Sequence, residues 1–214
     1  KSNFNQKPFN YNYIYFGCFA GIPELVNQET AIIEIVSQIM YDSHPNLKLV
    51  VKPYPILDDW SLYDKIKNTP NIHLDEISRP DNLSTSEEDI MEKFKKIHYA
   101  EAFFHLGTTM GLEACFTSTP SFILDFGYDK KSKNRLNIKH GIHQYQNDKY
   151  LINVEKPNVI ESKTHLRYVL DNLKSESYIL NNIAVAKRFK LISFNNFAER
   201  LINKKNINLD KVVN

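Results

Sequence analysis

The chain has 214 residues, a net charge of +2, 42% hydrophobic and 24% charged residues. That is ordinary globular composition, sized for one large domain or two small ones, and its charge is too small for a nucleic-acid surface. With Cys18 and Cys115 as the only cysteines, a disulfide framework and a four-cysteine zinc site are excluded, and a reducing, intracellular setting is expected.

The opening KSNFNQKPFN is polar and lacks an initiator Met, so residues 1–12 read as disordered or linker, and the chain as either trimmed or the C-terminal part of a longer protein. YIYFGCF (13–19) is aromatic and β-branched and predicts a strand ending at Gly17. Gly21 and Pro23 read as breakers. From Gln28 to Tyr41, apolar residues recur at helical spacing. LKLVV (47–51) predicts a second strand, closed by Pro53-Tyr54-Pro55. Asp58 and Asp59 suit a helix start, and Asn71–Leu74 a short third strand.

Ser86 with Asp89 three residues on predicts a capped helix running to about Tyr99. AFFHL (102–106) and SFIL (121–124) read as fourth and fifth strands, followed by a long loop, 125–149. LINV (151–154) is a candidate sixth strand. Residues 161–173 and 177–202 read as helices, and the tail as frayed. Strands alternating with helices predict an α/β, Rossmann-like parallel sheet with helices on both faces. The domain spans 13–175, and 176–214 form a helical C-terminal extension.

The most informative stretch is EAFFHLGTTMGLEACFTSTP (101–120). In open α/β sheets ligands sit beyond the carboxyl ends of the strands, where strand order reverses. Gly107 permits a tight exit from the fourth strand and close backbone approach to a ligand. Thr108 or Thr109 can cap the next helix, whose free N–H groups attract an anion, a phosphate being the natural candidate. Glu113 lies one turn on, leans back toward that turn, and could accept hydrogen bonds from ribose hydroxyls. The same residues also admit a plain turn followed by a solvated helix carboxylate.

HLGTTMGLEACFTSTPSFIL resembles the segment H-x-G-(S/T)-(S/T)-x-x-x-E-A-(6 or so)-P-x-(I/V) of the C-terminal domain of GT-B glycosyltransferases, including bacterial capsule and lipopolysaccharide enzymes. The resemblance covers roughly residues 13–175. It implies a Rossmann-like half that holds a nucleotide sugar, and a missing N-terminal domain for a glycan or glycolipid acceptor. By position, Thr108 and Thr109 would face the diphosphate, Glu113 would hold the ribose, and Pro120 would close the turn into the fifth strand. LVVKPYP (49–55) is similar to the strand-end (K/R)-P-H-P of several such enzymes, which would bring Lys52 to the phosphates. Tyr54 stands where that family usually has His. The family implies no cofactor and no metal, a cytoplasmic enzyme, and peripheral association with the inner face of the membrane.

Gly17-Cys18-Phe19-Ala20-Gly21 is not G-x-G-x-x-G, so the dinucleotide fingerprint is absent. In the GT-B reading, Gly17 and its loop face the donor phosphates; otherwise the loop is a glycine-rich turn. His105 reads as a buried, hydrogen-bonded histidine that can also touch the sugar. His140 and His143 lack further ligands for a metal. The cationic run 129–139 is a solvated loop or an anion contact. The expected activity is sugar transfer in surface polysaccharide synthesis, with the catalytic base outside this chain. The rivals are a sugar-nucleotide epimerase of the same fold and a non-catalytic nucleotide- or partner-binding module.

Overall fold

The computed structural model describes residues 6–55, 57, 59–75, 86–117, 119–144, 151 and 157–188. Six strands form one parallel sheet: β1 (Tyr13–Gly17), β2 (Lys48–Lys52), β3 (Ile72–Leu74), β4 (Ala102–His105), β5 (Ser121–Leu124) and β6 (Val159–Ile160). Their order is β3-β2-β1-β4-β5-β6. The chain winds outward from β1 in one direction, then restarts beside β1 with β4 and winds the other way. That is the Rossmann arrangement, with its switch point between β1 and β4. Gly17 stands level with Lys52 on one side and His105 on the other, so the three carboxyl ends share one edge.

β1, β4 and β5 are buried along their whole length because both faces of the sheet are covered. In β1, Ile14 and Phe16 enter the larger core beside Ile32, Ile33 and Val36 of α1 (Pro23–Ser43). Tyr13 and Tyr15 point to the opposite face, where Ile97 of α3 (Glu87–His98) and Ala114 of α4 (Met110–Ala114) cover them. Each fully buried Ile, Leu or Phe contributes about 1.5–3 kcal/mol relative to exposure. Phe104 and Phe122 meet edge to face at 5.7 Å across β4 and β5.

The α3 face also carries a charge. Lys96 Nζ donates to Asp75 Oδ1 at 2.7 Å, and Tyr15 Oη donates to Asp75 Oδ2 at 2.6 Å. Tyr13 Oη donates to the Lys96 carbonyl at 2.6 Å. All four groups are buried, so each depends on the others for partners.

The elements depart from the sequence reading at identifiable points. Pro23 is the first residue of α1, not a breaker before it, because a helix N-terminus has no use for the missing N–H. The helix expected after Asp58 is a 3-10 turn (Trp60–Tyr63), started by Asp59 accepting from the Ser61 N–H, followed by α2 (Asp64–Lys67). The loop 125–149 contains a helix, α5 (Lys139–Gln144). The sixth strand is Val159–Ile160, paired with β5, not 151–154. Leu151 is helical, and 152–154 lie outside the described residues. Two residues after Pro157 are too short a strand to show a period.

The capping box of α3 forms as the Ser86/Asp89 spacing dictates. Ser162 caps α6 (Lys163–Asp171), and α7 (Glu176–Arg188) ends the described chain. The expected continuation of that helix to 202 lies outside the described residues. Asn158, Asn181 and Asn182 tie α7 to the start of β5, with Asn182 Nδ2 donating to the Thr119 carbonyl at 2.6 Å. Within the segment expected as linker, Phe9 stacks on Tyr11 at 5.3 Å and meets Tyr13 edge-on at 5.0 Å.

Candidate functional site

The end of β1 and the turn after β4, which flank the switch point, pass close together. A Cβ built on Gly17 would stand 2.6 Å from Phe103 Cζ and 3.4 Å from Thr108 Cγ2. Glycine thus lets the end of β1 pass against the β4 turn. Gly107 has φ of 104°, a backbone conformation that side chains resist, and so turns the chain out of β4.

The turn's amides face inward. Gly107 N and Thr108 N donate to His105 Nδ1 at 3.2 and 3.3 Å. Met110 N lies 3.5 Å from Thr108 Oγ1, and the N–H groups of Gly111, Leu112 and Glu113 reach the carbonyls of Thr108 and Thr109. Among the described residues, Thr109 is left as the one amide between 107 and 113 without an acceptor. The helix expected to offer several free N–H groups is five residues long and lacks a side-chain cap. Any anion held here must therefore rely on hydroxyls and cations more than on a backbone nest. Thr109 is exposed and Thr108 half-buried.

His105 is fully buried, and burial pushes its imidazole down to about 3, so it is neutral at physiological pH. Because Nδ1 accepts, the proton sits on Nε2. A Cβ on Gly111 would fall 2.4 Å from that ring, so the glycine gives the imidazole its space.

The β1–α1 loop is pinned by a residue the sequence did not single out. Glu29, fully buried on α1, accepts from Phe19 N at 3.0 Å and from Tyr63 Oη at 2.7 Å. Burial raises its carboxyl to about 7, against the pull of these hydrogen bonds. Glu29 sits among polar helix residues in NQET, and its partner Tyr63 is 34 positions away, so no local signal marks it.

Lys52 ends β2, its carbonyl accepting from Cys18 N at 3.0 Å, with Nζ 5.8 Å from the Trp60 ring centroid. Burial lowers the affinity of Lys52 for its proton, and Asp75 opposes that shift. Glu113 lies on α4, with Lys93 Nζ of α3 2.7 Å from Oε2. That contact is one of charge, since the oxygen has no well-aligned donor.

Beyond β5, Asp125 gathers the long loop: Tyr128 Oη and Lys130 Nζ donate to it, and His143 Nε2 stands 3.4 Å away. Lys130 and Lys139, two cations of the 129–139 run, thus hold the loop itself, Lys139 Nζ donating to the Lys130 carbonyl at 2.8 Å. Gly141 of α5 packs under the Phe19 ring, bringing this loop against the site.

A cavity of about 640 Å³ lies at the opposite edge, among Asn12, His44, Glu101, Asp171 and Lys174. It is remote from the switch point, which lies at the carboxyl edge. Among the described residues, no three His, Cys, Asp or Glu side chains cluster to hold a metal ion, and no helix is long and apolar enough to cross a membrane.

No family model and no curated protein matches the chain. Among solved structures, a Listeria monocytogenes protein assigned as a UDP-N-acetylglucosamine 2-epimerase aligns with a TM-score of 0.44 at 17% identity, over 89% of this chain and 46% of that one. The chain therefore spans about half the length of that protein.

Proposed function

We propose that this chain is the donor-binding domain of a GT-B glycosyltransferase, taking a nucleotide-activated sugar for surface polysaccharide synthesis. The observation that carries the reading is the close approach of Gly17 to Thr108, where a Cβ on Gly17 would stand 3.4 Å from Thr108 Cγ2, at the switch point of a 3-2-1-4-5-6 sheet with Lys52 ending the next strand. In this reading the hydroxyls of Thr108 and Thr109, the Thr109 N–H and the Lys52 ammonium receive the diphosphate. His105 lies beneath the turn, and Glu113 shares its carboxylate between Lys93 and a ribose hydroxyl. The side-chain cations offset the leaving diphosphate, and the binding needs no metal. Displacement at the anomeric carbon then uses an acceptor and a base supplied by a further, N-terminal domain, in the cytoplasm at the inner face of the membrane.

The test is thermal denaturation with UDP, GDP, CDP and CMP, with and without EDTA. A ligand at a hundred times its Kd adds about 2.7 kcal/mol, a readily measured rise in Tm. One nucleotide should raise Tm in EDTA as well as without it. If none does at millimolar concentration, the reading fails.

A further inference from the structure

His105 is placed unlike an ordinary core histidine. Its Nδ1 takes two consecutive backbone amides, Gly107 N and Thr108 N, from the turn that follows its own strand. The ring is fully buried and lies over Gly111, where any larger residue would collide with it. It lines a small cavity of about 10 Å³ with Ser121, Asn158, Asn181 and Asn182, the residues that dock α7. One side of the imidazole thus shapes the turn, and the other borders the seat of the C-terminal helix.

We infer that His105 is a positioning residue: its neutral Nδ1 sets the Gly107–Thr108 backbone and thereby turns the Thr108 and Thr109 side chains toward the ligand. Satisfying those two amides from below leaves the hydroxyls and the Thr109 N–H as the groups the turn can offer. An imidazolium would present an N–H to both amides and could not hold them, so the role needs the free base. Asparagine puts its amide oxygen near the place of Nδ1, while glutamine puts its oxygen about one bond too far out. The two substitutions therefore separate acceptor position from polarity.

The binding arm of this inference rests on the nucleotide reading; the other arms do not. In the unsubstituted protein, imidazole nitrogen NMR should show His105 as the Nε2–H tautomer from pH 5 to 8. A Nδ1–H tautomer or an imidazolium in that range overturns the proposal, and this measurement requires no variant to fold. Hydrogen exchange should show Gly107 and Thr108 amides opening about tenfold faster in His105→Gln and His105→Phe, with His105→Asn nearer the parent, the loss of roughly one hydrogen bond. Equal exchange at these amides in all three folded variants, relative to Phe104, sinks the idea. In calorimetry with UDP, Asn should retain more affinity than Gln or Phe. If UDP, GDP, CDP and CMP all fail to bind the parent, the nucleotide reading falls, and tautomer and exchange still decide the role of His105.

Discussion

The β1–α1 loop and the β4–α4 turn face each other across the switch point, and each is fastened from beneath by one buried titratable side chain. Glu29 reaches the first from the following helix, ten positions along from Phe19, and shares its carboxylate with Tyr63. His105 holds the second from two and three positions away. One clasp is long-range and acidic, the other local and neutral. The first loop therefore depends on tertiary packing and on pH near 7, whereas the second is largely written into H-L-G-T.

The comparison breaks most visibly at Glu29. Glu29→Ala strands the Phe19 N–H and the Tyr63 hydroxyl in the core, and chemical denaturation should show a loss of about 3 kcal/mol. A loss below about 1 kcal/mol would mean that the loop holds itself.

Next come opposing pH dependences. The carboxyl of Glu29 is raised from 4.5 to about 7, so its contribution is full below pH 4.5 and lost as pH rises to 7. The imidazole of His105 is lowered from 6.5 to about 3, so its contribution is full above 6.5 and lost as pH falls toward 3. Each slope is about 1.4 kcal/mol per pH unit, and in the shared window they cancel. Glu29→Gln should therefore make stability climb with pH from 4.5 to 6.5, and His105→Asn should make it fall over the same range. Urea midpoints across that range check both, and matching curves for the two variants would refute the assignment.

Smaller effects test the ligand side of each loop. Lys52→Ala should weaken UDP by about ten- to a hundredfold and uridine by about threefold at most, a charge-assisted contact being worth about 1.5–3 kcal/mol. Equal losses for both would point to general damage. Glu113→Ala should cost UDP about tenfold and 2′-deoxy-UDP less, read as coupling in a cycle of protein and ligand; additive effects would remove the ribose role. Smallest is the ion pair itself: with both side chains partly exposed, the Glu113–Lys93 stability coupling should stay below about 1 kcal/mol.

The architecture was legible because strand and helix patterns alternate over most of the chain and because Ser86/Asp89 is a local capping signal. The turn after β4 was legible for the same reason: Gly107 and the threonines are neighbours in sequence. What could not be read was set by distance. Glu29 becomes an anchor only when Tyr63 and Phe19 converge on it. Asp125 becomes the hub of its loop only when Lys130 and His143 fold back, which a run of lysines by itself reads as solvated. Pro23 misled because the same ring that breaks a helix interior also begins one.

The parallel sheet also gives the molecule an electrical axis. Because the strands run one way and the covering helices return the other, α1, α3 and α6 begin at the carboxyl edge and end at the amino edge. Their partial positive ends therefore lie along the carboxyl edge, and the negative ends of α1 and α6 reach the cavity that Ser43, His44 and Asp171 line. An anion such as the proposed nucleotide would gain from the carboxyl edge, and raising salt should shrink that gain.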